Sequence, residues 1–165
     1  MLFKYLGVDI SSRNDLPADL QSQINKALVI SGSLNDVVWR NPFMRTENKV
    51  RIYKSCVRPI MTYGIESRAD TKATKSKLRV AEMGNLRRII GKTRRDRVRN
   101  TDVGQQCGGE DIAKWGRQRR RFWRDHVQRI DGASQAKAAL RGRPRGTRPP
   151  GRPPKWWKDS WQSSS

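Results

Sequence analysis

Acid is what this sequence lacks most. Fifteen Asp and Glu stand against 36 Lys and Arg in 165 residues, which leaves a formal charge of +21. A chain so one-sided suits a polyanionic partner and argues against a self-sufficient small-molecule enzyme. Cysteine is nearly absent. Cys56 and Cys107 make no disulfide scaffold, and both are expected to be free, buried thiols in a reducing compartment. With a single histidine, His126, they fall short of the ligands a zinc site needs, so no metal site is expected. No glycine-rich loop has the spacing of a phosphate or dinucleotide cradle, so no cofactor is expected either. Long apolar runs are missing as well. The uncharged stretch from Ala27 to Asn35 is far below the roughly 20 residues that cross a bilayer. The opening MLFKYLGVDI has no apolar core behind a basic segment, unlike a secretory signal. The expectation is a nuclear or cytoplasmic protein, not secreted and with no membrane partner.

Catalytic constellations are equally scarce. Two-metal phosphoryl chemistry needs clustered carboxylates, and the acids here are scattered. A nucleophilic triad would need His126 as its base. His126 falls on an apolar helix arc, where a packed core histidine is expected.

The positive charge is uneven. Residues 1–50 carry a net +1, residues 51–100 a net +11 and residues 101–165 a net +9. Between Asp131 and Asp159 there is no acid, eight basic residues and five of the eight prolines. Proline removes backbone donors and clashes within helices, so 141–165 is expected to be a disordered basic tail.

Periodicity divides the rest. Residues 2–10 have the β-branched and aromatic content of a strand. A lone strand or hairpin is marginal in water, which hints at a piece of something larger. A helix is expected over 17–39, with Leu20, Ile24, Leu28, Leu34 and Val38 on its apolar face and Gly32 weakening its middle. A second helix spans about 47–66. At about 100° per residue, Val50, Tyr53, Cys56, Val57, Ile60 and Met61 cover a wide apolar arc, opposite a basic stripe of Arg51, Lys54 and Arg58. Pro59 should kink it. A third helix runs over 71–90 and stops at Gly91. The basic connector Lys92–Arg99 and a loose glycine-bearing stretch follow. A fourth helix over 110–130 sets Ile112, Trp115, Phe122, Trp123, His126 and Ile130 against Lys114, Arg117, Arg120, Arg121 and Arg124, with Arg119 intruding on the apolar arc. A short helix is expected at 133–140.

Lys72, Lys75 and Lys77 read as an ordinary solvated face. The candidate phosphate contacts are the clusters Arg51/Lys54/Arg58, Arg94/Arg95/Arg97 and Arg117/Arg120/Arg121/Arg124, each with little compensating acid. Arg141, Arg143 and Arg152 of the tail join them. Arg141-Gly142-Arg143-Pro144 resembles an AT-hook core, which enters narrow A·T-rich minor grooves, though a generic basic tail accounts for it equally. Trp156, Trp157 and Trp161 are open to base stacking or to docking on the body.

Taken in order, several short motifs carry a resemblance. They are Phe3-Lys4-Tyr5-Leu6-Gly7, Lys49-Val50-Arg51-Ile52-Tyr53-Lys54, Val57-Arg58-Pro59-Ile60 and Tyr63-Gly64-Ile65-Glu66. Leu86-Arg87-Arg88-Ile89-Ile90-Gly91, Arg95-Asp96-Arg97-Val98-Arg99-Asn100 and Arg121-Phe122-Trp123 with His126-Val127 follow. In this order and spacing the chain resembles the C-terminal part of a reverse transcriptase from a non-LTR (LINE-type) retrotransposon. Arg68 and Asp125 depart from it, standing where tryptophan and glycine are usual.

The resemblance implies a division into an end-of-palm β segment (1–14), a thumb-like helical region (15–93), a basic post-thumb helical region (94–140) and the tail. The fold class expected is mainly α: a helical thumb-like bundle with a short N-terminal β segment and a disordered Pro/Arg-rich tail. The resemblance also implies a fragment of an RNA-directed DNA polymerase that grips template–primer or target nucleic acid. No motif here matches the Ala-Asp-Asp strand of such enzymes, so no activity is expected of the chain alone, and the missing palm and fingers become a possible partner. Two alternatives are a chromatin or DNA-binding protein using the AT-hook-like tail, and a transposon relic without function.

Overall fold

The computed structural model describes residues 2–5, 8–11, 16–68 and 71–142. Within them the protein is mainly helical. At the N-terminus β1 (Leu2–Tyr5) pairs antiparallel with β2 (Val8–Ser11), in register Leu2 to Ser11 and Tyr5 to Val8. The structure thus has a hairpin where the residue pattern suggests one strand. A lone strand would leave its peptide groups unpaired, whereas pairing Leu2–Tyr5 with Val8–Ser11 lets one half satisfy the other. The tail from residue 143 onward, and the disorder expected of it, lie outside the described residues.

Helix α1 (Leu16–Ser33) ends earlier than periodicity suggests. A π-helical turn, Asn35–Trp39, follows and changes the phase of the chain. Val38 and Trp39 are buried, while Leu28 is exposed. The buried face of α1 carries Asp19, Leu20, Gln23, Ile24, Ala27 and Ser31.

The second helical region is interrupted. Helix α2 (Thr46–Ile52) passes through a π-helical turn at Tyr53–Val57 into α3 (Arg58–Met61). Pro59 supplies the reason. Its missing N–H and its ring forbid an ordinary α turn behind it, and a wider i→i+5 turn absorbs the conflict. The Arg58 N–H accordingly donates to the Tyr53 carbonyl, five residues back. Arg58 therefore lies one turn above the buried Tyr53 and points inward. This overturns the expected Arg51/Lys54/Arg58 stripe, which assumed 100° per residue throughout.

Helix α4 (Lys72–Ile89) has defined ends. At its start the Thr74 N–H donates to Thr71 Oγ1 and the Thr71 N–H donates to Thr74 Oγ1, each at 3.1 Å. At its end Lys92 N–H donates to the Arg87 carbonyl at 2.9 Å and Gly91 N–H to that of Arg88 at 3.2 Å. Gly91, at φ 67°, is the left-handed residue this closure requires. Thr74, Leu78, Ala81, Glu82, Asn85, Leu86 and Ile89 form the buried face, a helical spacing throughout. Two more helices complete the body: α5 (Asn100–Gln106), in the stretch expected to be loose, and α6 (Ile112–Arg129). The short α7 (Gln135–Arg141) follows.

One core joins these elements. Leu20, Ile24 and Ala27 of α1 share it with Tyr53, Val57, Met61, Leu78, Leu86 and Ile89, and with Val103, Cys107 and Ile112. Ion pairs are buried in the body as well. Arg68 meets Asp19 at 2.6 Å, which gives the residue that departs from the family pattern a structural partner. Arg58 meets Glu82 at 3.5 Å, with both side chains 3 % exposed.

Removing one partner of a buried pair strands the other charge in a poorly polarisable interior. Arg58→Ala should therefore destabilise the fold by about 3–5 kcal/mol. Arg51→Ala, at an exposed position, should fall within about 0.5 kcal/mol of the parent. Thermal melts followed by circular dichroism decide this; equal losses at the two positions would contradict the inward placement of Arg58.

Candidate nucleic-acid interface

The exposed face of α4 is the floor of a groove of about 780 Å³. Seven cationic side chains line it: Lys72, Lys75, Arg79, Arg87, Arg88, Lys92 and Arg94. None of its lining residues is Asp or Glu. Val80, Met83 and Gly84 give it an apolar strip. A Cβ built on Gly84 would meet nothing within 4 Å, so the fold leaves the strip open at that point.

The groove's far end is shaped by the connector. Asp96 Oδ2 accepts from the Thr93 N–H at 2.6 Å and from the Thr93 hydroxyl at 2.8 Å. Those bonds hold the Asp96 carboxyl below its ordinary range. The turn carries Arg94, Arg95 and Arg97 into solvent. Arg97 adopts φ 52°, left-handed for a residue with a Cβ. Arg87 fastens the connector to α4, donating to the Val98 carbonyl at 3.1 Å and to Asn100 Oδ1 at 2.6 Å.

A second cleft of about 410 Å³ opens between α4 and α5. It shares Arg79, Met83 and Asn100 with the groove, yet acids join cations in its lining: Glu82, Glu110 and Asp111 beside Lys54 and Arg79. Glu82 Oε2 accepts from the Ile112 N–H at 3.0 Å, and the Tyr53 hydroxyl donates to Oε1 at 3.4 Å. Burial pushes the Glu82 carboxyl up, with the Ile112 N–H and Arg58 opposing. Burial also pushes the Tyr53 hydroxyl well up, and neighbouring Glu82 adds to this. Asp111 caps α6 by accepting from the Ala113 N–H at 2.8 Å and receives Arg79 at 2.6 Å. The Arg79 bonds hold its carboxyl low.

The expected phosphate contacts scatter. Arg51 is exposed; Lys54 is half-buried, 4.0 Å from Glu110. Arg58 is unavailable to a ligand: it donates to Glu110 Oε2 at 2.8 Å and its guanidinium lies 5.1 Å from the Trp115 ring centre. Arg117 and Arg121 are exposed, and Arg124 bonds to Asp125 at 3.2 Å. Arg120 is buried, donating to the Ile65 carbonyl at 3.0 Å. Its inward turn reflects a face of α6 (Ile112, Ala113, Gly116, Arg120, Val127) rotated from the expected aromatic arc. A Cβ on Gly116 would stand 2.7 Å from Ile65 Cδ1, so close approach at glycine decides which face packs.

The aromatic arc is left at the edge, with Phe122 61 % exposed. His126 is exposed beside Trp123, at 5.4 Å between ring centres, not packed in the core as expected. Arg119 is exposed and pairs with Glu66 at 3.1 Å. Arg141 lies in α7, while Arg143, Arg152 and the three tail tryptophans lie outside the described residues. Of the residues expected to meet phosphate only Arg94 lines the groove. The other groove cations, Lys72, Lys75, Arg79, Arg87, Arg88 and Lys92, are not among the expected contacts, although their three- and four-residue spacing along α4 is a visible signal.

Among the described residues no group of three or more His, Cys, Asp or Glu could hold a metal ion, and no helix is long and apolar enough to cross a membrane. The chain is 26% identical over 162 residues to an uncharacterized transposon-derived protein of Caenorhabditis elegans. The match takes in 94% of this chain and 57% of that protein, so the chain spans less than two thirds of its relative's length. The likeness ties the chain to transposon-derived sequence. No family model and no solved structure matches.

The two thiols offer a check on the cleft. Cys107 is buried and Cys56 exposed, against the expectation that both are buried. Burial pushes the Cys107 thiol up; Lys54 opposes this and Glu82 adds to it. Because the thiolate is the nucleophile, iodoacetamide near neutral pH should modify Cys56 first. Cys107 should follow only as the pH rises. Peptide mass mapping reads both, and equal rates would contradict the closed core around Cys107.

Proposed function

We propose that this chain is a non-catalytic, transposon-derived nucleic-acid-binding module, thumb-like in the manner of a non-LTR retrotransposon reverse transcriptase, which holds a sugar–phosphate backbone along the α4 groove. One observation carries the reading: seven cations and no acid line a single surface. Phosphate oxygens satisfy such a surface, and release of condensed counterions drives the association. The apolar strip of Val80, Met83 and Gly84 suits the sugar edge of a strand between its phosphates. Interactions of this kind set register and affinity and carry little sequence information.

Five acids of the body are taken up in ion pairs. Asp19, Glu66, Glu82, Glu110 and Asp111 are each engaged by an arginine. Polymerisation would therefore depend on carboxylates that another polypeptide or segment provides. Arg51, Arg117 and Arg121 remain exposed and extend the positive field beyond the groove.

If about six phosphates are neutralised, log K should fall against log salt with a slope of about −5. Reversing Arg88, Lys92 and Arg94 to Glu together should weaken oligonucleotide binding about tenfold or more, and should flatten the slope by about one for each phosphate no longer neutralised. Reversing Lys77, exposed but outside the groove, should change affinity little. Fluorescence anisotropy across a salt series measures both. Equal effects of Lys77→Glu and a single groove reversal would reduce the site to diffuse charge, and a triple variant that binds like the parent would remove the groove from consideration.

A further inference from the structure

The cleft beside the groove has a composition that phosphate binding does not explain. We propose that it receives a single unpaired nucleobase, one bearing an amino group, from the strand lying in the groove. This inference rests on the nucleic-acid reading above.

Three features carry it. The two cavities share the wall formed by Arg79, Met83 and Asn100, so a strand in one has its bases within reach of the other. The chemistry changes across that wall. The groove is cationic and free of acid, which suits phosphates. In the cleft Glu110 and Asp111 are balanced by Lys54, Arg58 and Arg79, and the carboxamides of Asn100 and Gln105 stand beside them, a lining that matches the amino and imino N–H groups of a base better than a phosphate. Asp111 is taken up by Arg79 and the Ala113 N–H, and Glu110 holds Arg58 through Oε2, so Glu110 Oε1 is the carboxylate oxygen on offer to a base. Size agrees as well: about 410 Å³ lies within the range of small-ligand sites and is too small for a base pair with its backbone. Met83 and Leu86 supply apolar surface for the base faces. Recognition of an extruded base by its hydrogen-bonding edge between apolar walls follows the same logic.

Gly104 provides the test. It lines the cleft from α5, and a Cβ built there meets nothing within 4 Å. Gly104→Phe would fill the space while leaving the groove residues untouched. The probes are a DNA duplex with one unpaired adenine, the same duplex with an abasic site at that position, and the fully paired duplex. For the full chain, replacing the adenine by the abasic site should weaken binding about tenfold. In Gly104→Phe that difference should vanish, with affinity for the fully paired duplex unchanged. A 2-aminopurine at the unpaired position should change its emission with the parent and not with the variant.

Equal binding of the adenine and abasic duplexes by the parent, with salt dependence retained, would overturn the cleft proposal and leave the groove standing. Absence of salt-dependent binding to all three duplexes would overturn the groove, and the cleft with it. Free AMP that quenches the preference no better than inorganic phosphate supports a base delivered by a strand. AMP that occupies the cleft as tightly as the duplex would overturn that delivery. If Gly104→Phe loses its cooperative melt, Gln105→Ala at the exposed rim and the parent's abasic comparison carry the decision.

Discussion

A guanidinium almost closed off from solvent joins four segments of this chain. Arg58 reaches Glu82 on α4, Glu110 in the loop before α6 and the ring of Trp115 on α6, all from α3. Glu82 in turn accepts the Ile112 N–H, one of the donors a helix start cannot satisfy within itself. The start of α6 is therefore set by a carboxylate on another helix, and that carboxylate is compensated by Arg58. The cleft depends on this arrangement most directly, because it fixes α4 relative to α3, the Glu110 loop and the start of α6.

The chain sorts its positive charge into two populations. Arg58, Arg68 and Arg120 are interior, engaged with Glu82, Asp19 and the Ile65 carbonyl. Those of α4's outer face and the connector line a groove that no acid lines, with Arg79 turned to Asp111 at its edge. Asp19, Glu82 and Glu110 neutralise buried cations and Asp111 caps α6, all away from the groove. A formal charge of +21 thus overstates what a polyanion meets and understates how sharply the charge is localised.

Much of this is legible in the residues, and the failures have physical causes. The extents of α4 and α6, and the closure at Gly91, follow from periodicity and from glycine's tolerance of positive φ. The hairpin, the π turns and α5 do not, since short elements are decided by partners that local pattern does not contain. Arg58 is misplaced by pattern alone because a wide turn shifts every later residue from the 100° wheel. Arg120 is misplaced because the face of α6 is chosen by close approach at Gly116, and His126 goes with it. The α4 cations are visible but uninformative by themselves, since three lysines on a helix look the same whether they meet water or a phosphate. Only the packing of the connector against Arg87 turns that face into a concave surface.

The wide turn at Tyr53–Val57 absorbs one residue of chain in a way that composition conceals. An i→i+5 closure holds one residue more than an i→i+4 closure. Tightening it to i→i+4 with every residue kept would swing everything after it by about 100°. The side chain now facing Glu82 would then face water, whereas a tightened turn that also lost one residue would keep Arg58 stacked above Tyr53. The width of a single turn therefore decides which charge the interior holds.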